Sequence, residues 1–375
     1  MKKFFAVLFF CSSALVFADN FKPELHISPS VRQQGFGGFY TTDVDNFYGI
    51  YSNPAMLGKR KKHSLYPGFG FNCAGPIADI PDFFKALTNQ DVNLLSDILR
   101  KNNGIKLGTH IEPLLSFGHT TEWGFGWAFN TNIFVNASIP GLTRSDIQAG
   151  IESVLTAGFG FPLINTDNHL LSIGATAKGF YQLSTSLNDG VLSVAQKIKD
   201  FEVKNISLNS AVGFGFDIGI YYSLCNALDF AIVYHDPWSQ AWVSKVSIPD
   251  VFSFNFNQGN RLESKLSAGI CYKIPVASTR GLISSFRIMA DYQNIFTVFK
   301  KFSRNPLLEI SAGTEIVLFD MLSIRLGINE MYPAAGIGLA FGKFKIDLSM
   351  YGKELGLEPG SSPCLNAGLF IGVTY

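Results

Sequence analysis

The sequence predicts an all-β fold, a transmembrane antiparallel β-barrel of about 14 strands with an N-terminal hatch or plug in its lumen. Three observations carry that prediction. Apolar and polar residues alternate at period two along many short segments. The connections between those segments alternate between short and long, as the periplasmic turns and external loops of such barrels do. And although 47% of the chain is hydrophobic, no run reads as a spanning helix. The longest charge-free run outside the N-terminus, Trp123 to Thr143, contains Asn130, Asn132, Asn136 and Pro140 and alternates instead.

In chain order, Lys2 and Lys3 followed by an apolar stretch from Phe4 to Phe17 and by Val16-Phe17-Ala18 read as a secretory signal peptide over residues 1–18, cleaved near Ala18. Residues 19–63 do not alternate. Gly35-Phe36-Gly37-Gly38-Phe39 and Ser52-Asn53-Pro54-Ala55-Met56-Leu57-Gly58 read as compact turns. A barrel this wide has more interior than wall side chains readily fill, so this segment is expected to be the plug. The basic run Lys59-Arg60-Lys61-Lys62 reads as the wet join between plug and first strand, with guiding of a carboxylate as a second role.

The barrel is expected over 64–375. One face of its strands carries Phe125, Trp127, Phe129, Ile133 and Val135, or Val212, Phe214, Phe216, Ile218 and Ile220, while charges such as Asp217, Arg287, Asp291 and Arg325 fall on the other. Two connections show helical spacing, 80–103 and 191–201, with Asp79 and Asp82 as candidate caps of the first. The chain ends on an alternating strand, Ala367 to Tyr375, that resembles the C-terminal assembly signal of bacterial outer-membrane barrels. This places the protein in the outer membrane of a diderm bacterium, with membrane lipid and the barrel assembly machinery as partners.

Charge excludes some classes of function. Removing Lys2 and Lys3 from 30 basic residues leaves 28 against 29 acidic ones, so no basic field points to nucleic acid. No nucleophile elbow, phosphate loop or zinc-protease motif is present, and the reading is of a protein that is not an enzyme, with no metal or cofactor. Cys73, Cys225, Cys271 and Cys364 lie far apart, and their pairing is not legible in sequence.

Ser52-Asn53-Pro54-Ala55 followed by Leu57-Gly58 resembles the Asn-Pro-Ala hatch motif of the FadL-type outer-membrane long-chain fatty-acid transporters. Gly327-Ile328-Asn329, Tyr332 and Gly336-Ile337-Gly338-Leu339 resemble late strands of the same group. The resemblance implies a fourteen-stranded barrel through which a long-chain fatty acid or other hydrophobic ligand diffuses, with the hatch as gate and Asn53, Pro54 and Ala55 as hatch residues. Pro54 fixes its own φ and keeps Asn53 extended, and the Asn53 amide can bond the wall.

A fatty-acid site needs an apolar cavity and a cation for the carboxylate. Arg287 and Arg325 are the preferred partners because guanidinium binds carboxylate bidentately, and Lys178 is a third. Ordinary ion pairing across the wall is the competing reading of these inward cations. Phe83, Phe84, Leu95, Ile98 and Leu99 are candidates for an external apolar groove, or for a helix face packed on the barrel rim. Two other functions fit a barrel of this kind: a water-filled porin for small polar solutes, and a secretion-accessory or surface-interaction barrel.

Overall fold

The computed structural model describes residues 30–373, apart from 39, 45–46, 66–67, 77–78, 103, 113–115, 194–195, 197–206, 248–258, 277–280 and 301–303. The signal peptide, residues 19–29 and Tyr375 lie outside the described residues, as does most of the candidate helix 191–201.

Seventeen strands form a single antiparallel sheet. They are β1 (His63–Leu65), β2 (Phe69–Ala74), β3 (Ile105–Glu112), β4 (Phe117–Thr120), β5 (Phe125–Gly141), β6 (Arg144–Asn165), β7 (His169–Asp189), β8 (Ser207–Leu224) and β9 (Leu228–Ser247). Then come β10 (Gly259–Asn260), β11 (Lys265–Lys273), β12 (Ile283–Tyr292), β13 (Ile310–Leu318), β14 (Leu322–Asn329), β15 (Tyr332–Phe341), β16 (Phe344–Glu354) and β17 (Pro363–Val373).

Six of these are fragments that make up three longer staves. β1 pairs β4 and β2 pairs β3, while β3 and β4 both pair β5, so β1 with β2 and β3 with β4 each make one interrupted stave. β10 and β11 likewise both lie along β9. The result is a closed barrel of 14 staves, as the sequence predicts. Closure comes from β17 against β2, where Ile371 faces Phe69 and Asn366 faces Ala74. A sheet closed in this way leaves no unpaired backbone edge in lipid. No helix among the described residues is long and apolar enough to cross a membrane.

The two faces separate as the alternation requires. On β8 the outward Phe216, Ile218 and Ile220 are exposed while the inward Gly215, Asp217 and Gly219 are buried; on β14, Ile324, Leu326 and Ile328 are exposed and Arg325 is buried. An apolar band continued around the ring in this way would be intolerable in water, and it matches the hydrocarbon layer. Trp123, Phe319, Phe341 and Phe344 stand exposed near the short turns, where an interfacial aromatic girdle belongs.

Stave height is uneven. β5 to β9 have 17, 22, 21, 18 and 20 residues, whereas β11 to β16 have between 8 and 11. Crossing the membrane takes about 9–11 tilted residues, so one side of the wall rises well beyond the bilayer at its long-connection end. Residues 137–148, which the alternation marks as a long loop, are therefore mostly ladder. Asn136 pairs Gln148 and Ser138 pairs Asp146 before the chain turns between Gly141 and Arg144. Beyond the lipid both faces of a strand are polar, so the period-two contrast fades although the hydrogen bonds continue. Pro140 and Pro162 lie at register irregularities, where a missing ladder N–H is tolerated.

The first long connection folds as two helices, Ile80–Asn89 and Val92–Lys101, and not as one over 80–103. Gln90 takes a left-handed conformation with φ of 54°, and the Asp91 side chain caps the second helix by accepting from the Leu94 N–H. Asp79 makes no side-chain cap. Its carboxylate instead accepts from Lys101 Nζ at 2.7 Å and from the Asn102 amide at 3.0 Å, and these bonds hold it below the usual carboxylate range. Phe83, Ala86, Leu95, Ile98 and Leu99 bury against Ile105, Ile139 and Val191 of the rim.

If the outward face of β15 meets hydrocarbon, Ile337→Lys should destabilise the folded barrel by about 2–4 kcal/mol. Denaturant titration in lipid vesicles checks this; a change below about 0.5 kcal/mol would place Ile337 outside the membrane band.

Candidate functional site

The described N-terminal residues lie inside the ring. Ser30 opens a short helix, Val31–Gly35, through a capping box in which its hydroxyl accepts from the Gln33 N–H and the Gln33 side chain accepts from the Ser30 N–H. A second helix, Gly49–Ser52, leads into a 3-10 turn, Pro54–Lys59. Val44, Phe47, Ile50, Ala55 and Leu57 are buried and pack against Ala128, Tyr221, Ala231 and Phe370, side chains from inward positions of the wall. Chain that does not alternate is thus covered by chain that does.

Glycines on the wall make the close approach possible. Gly174 lies under the Pro54 carbonyl, Gly160 under Leu57 and Gly58, and Gly219 against the Asn53 side-chain oxygen; a Cβ at any of them would collide. Across the lumen, Gly313 and Gly327 lie under the Phe36 carbonyl, and Gly336 meets Gly35. Two cradles result, one on β6 to β8 and one on β13 to β15. The sequence shows these glycines only as gaps on the inward face. The signal that would have identified the cradles is their grouping on neighbouring strands at facing register positions, which needs the pairing to be known.

The Asn53-Pro54-Ala55 turn sits in the first cradle. The Asn53 amide donates to the Thr41 carbonyl at 2.9 Å and to the Ile220 carbonyl at 3.3 Å, and its oxygen accepts from the Ala55 N–H at 2.9 Å. Ser172 Oγ on β7 donates to the Ala55 carbonyl at 2.8 Å. One side chain therefore joins the segment to itself and to β8. Lys59 follows, with its ammonium 4.8 Å above the Tyr221 ring.

Opposite lies a buried charge cluster. Arg32 donates to Asp43 at 2.7 Å and to Glu315 at 3.0 Å. Arg287 reaches Asp43 at 3.0 Å and Glu315 at 2.6 Å, and Arg325 reaches Glu315 at 2.7 Å and Asp347 at 2.6 Å. Glu315 thus accepts from three guanidinium groups. The Arg32 and Arg287 guanidiniums also lie 5.2 Å and 5.9 Å from the centre of the Phe36 ring.

Of the three expected carboxylate-binding cations, Arg287 and Arg325 come together here, each bound to two protein carboxylates. Lys178 lies apart, 2.9 Å from Asp217 and 2.8 Å from Asp236. Arg32 and Asp43, which tie the segment to this cluster, are not among the sequence-derived candidates. A charge inside a glycine- and aromatic-rich turn is the signal that could have found them. Of the groove candidates, Phe83, Leu95, Ile98 and Leu99 are buried in the rim cluster and Phe84 is half-buried beside them. Among the described residues, Cys73, Cys225, Cys271 and Cys364 form no disulfide.

No family model and no curated protein sequence matches the chain. Solved structures do. A monoaromatic hydrocarbon channel, CymD, superposes over 94% of this chain and 98% of its own with a TM-score of 0.50 and 14% identity. The monoaromatic hydrocarbon channel TodX, as its deltaS2S3 mutant, covers 94% and 99% with a TM-score of 0.50 and 13% identity. The toluene transporter TbuX of Ralstonia pickettii covers 93% and 97%, at 0.49 and 14%. At these identities the likeness is one of fold, and the fold is that of the FadL-type outer-membrane transporters.

Two substitutions test the docking. Gly174→Val should drive the Pro54 turn off β7, making the Lys59–Lys62 run a fast trypsin site in reconstituted protein, whereas Gly179→Val, with open space around it, should not. Glu315→Gln leaves buried guanidiniums short of negative charge and should cost about 3–5 kcal/mol. Hydrogen exchange over residues 31–59, compared with the wall strands, reads where that loss falls.

Proposed function

We propose that this protein passes hydrophobic small molecules across the outer membrane by gated diffusion, with residues 19–63 as the hatch. The observation that carries the reading is the N-terminal segment buried in the lumen and docked on two opposite walls. An open water-filled pore has no use for such a stopper, and the hydrocarbon-channel fold supports apolar cargo.

Long-chain fatty acids are the finer reading. Arg287 and Arg325 would then serve the cargo carboxylate only by exchanging a protein carboxylate for it. That exchange has a mechanical consequence. A carboxylate that replaces Asp43 on Arg287 also weakens the hold on Arg32, so arrival of the cargo head and release of the hatch become one event. Lys178, between Asp217 and Asp236, offers a second exchange point on the other wall. Phe84 and the rim helices would receive the apolar tail from outside.

Two measurements test this reading. Planar-bilayer conductance of the intact protein should be low and should rise at least tenfold on deletion of residues 19–63. Proteoliposomes should accumulate a labelled long-chain fatty acid or alkylbenzene saturably, but not a labelled sugar. High conductance of the intact protein, or sugar uptake, would overturn the proposal in favour of a porin.

A further inference from the structure

Thr41 links the two walls on which the N-terminal segment is docked. It lies in a buried turn over residues 40–44 that closes on itself, the Asp43 N–H donating to the Tyr40 carbonyl at 3.1 Å and the Val44 N–H to the Thr42 carbonyl at 2.9 Å. Its own N–H donates to Asp291 Oδ2 on β12 at 2.7 Å. Its carbonyl accepts from the Asn53 amide at 2.9 Å, and the same amide donates to the Ile220 carbonyl on β8 at 3.3 Å. Asn53 Oδ1 accepts from the Ala55 N–H, and the Ala55 carbonyl accepts from Ser172 on β7. An unbroken line of hydrogen bonds therefore crosses the lumen from β12, through Thr41 and Asn53, to β7 and β8. Gly269 on β11, which pairs Asp291, makes room for its first link: a Cβ there would collide with Asp291 Oδ1 and Thr41 Oγ1.

We propose that Asp291 is a positioning residue for the gate: through Thr41 it holds the Asn53-Pro54-Ala55 turn on the opposite wall, and loss of the Asp291 bond frees that turn to pivot on its glycine seat. This rests on the gated reading above and extends it from the charged wall to the glycine wall. Asp43, the carboxylate that an incoming anion would replace on Arg287, lies two residues along the same closed turn. The Thr41 N–H and carbonyl both pivot on one Cα, so a turn that reorients when Asp43 leaves disturbs the Asp291 bond and the Asn53 bond together. Without this line, the Asn53 turn would stay fixed after the charge cluster had opened.

The test is hydrogen exchange of full-length mature protein in lipid nanodiscs, read without cargo, so its result is separate from the conductance and uptake tests of the transport reading. Asp291→Ala should speed exchange about tenfold over residues 49–59, on the far wall. In an Asn53→Ala background, where the line is already cut, the same substitution should add less than about twofold there. Asp291→Asn, whose side-chain oxygen still accepts from the Thr41 N–H, should restore slow exchange. Coupling is reciprocal, so Asn53→Ala should speed exchange over residues 40–44. Protection of β5 to β9 should be unchanged in every variant. If Asp291→Ala does not insert, Gly174→Val, which displaces the same turn from the other wall, should speed exchange over residues 40–44. Changes confined to the neighbourhood of each substitution, or a full tenfold effect of Asp291→Ala in the Asn53→Ala background, would overturn the proposal.

Discussion

Everything inside the barrel is organised around the Glu315 carboxylate and the three guanidiniums that share it. Each of these ions is almost fully buried, and leaving any one unpaired in such surroundings costs several kcal/mol. On the wall, Arg287 and Arg325 meet Glu315 and Asp347, two guanidiniums with two carboxylates. Asp43 from the N-terminal segment completes Arg287, and Arg32 brings its own positive charge onto Glu315. The segment is consequently part of the wall's electrostatics as well as a filler of space. A flexible leader would take from Arg287 its second carboxylate and from Glu315 its third guanidinium.

The two docking sites share glycine cradles and differ in the polar contacts added to them. Against β6 to β8 the segment is held by shape: glycines let backbone lie on backbone, and Asn53 and Ser172 supply directed neutral hydrogen bonds. Against β12 to β16 the glycines under Phe36 and Gly35 are joined by the ion pairs of Arg32 and Asp43. Shape is insensitive to solutes, whereas an ion pair can be exchanged for another ion of the same sign. If the segment moves during transport, the charged side has the chemistry to let go and the β6 to β8 side has the chemistry of a hinge.

Much of the barrel is legible in the sequence because lipid enforces contrast. Wherever one face meets hydrocarbon, as at Phe216, Ile218 and Ile220, alternation marks the strand and sets its register, and all 14 staves can be placed by it. The contrast fails where both faces are wet, which is why the upper parts of β5 and β6 read as loop. It fails also for the break at Gln90, which depends on a local left-handed conformation. The Asn53-Pro54-Ala55 turn is visible as a motif, and the inward cations are visible as charges. Which carboxylate meets which guanidinium is not, because Arg32 and Glu315 stand 283 positions apart and only ring closure brings them together.

That separation has a consequence for biogenesis. The glycine cradles are assembled from β6 to β8 and from β13 to β15, so neither is complete until much of the polypeptide has been threaded and paired. The residues made first are therefore the last to find their seats, and until then Arg32 and Asp43 remain hydrated. Seating of the N-terminal segment therefore waits on the pairing of the strands that form its two cradles.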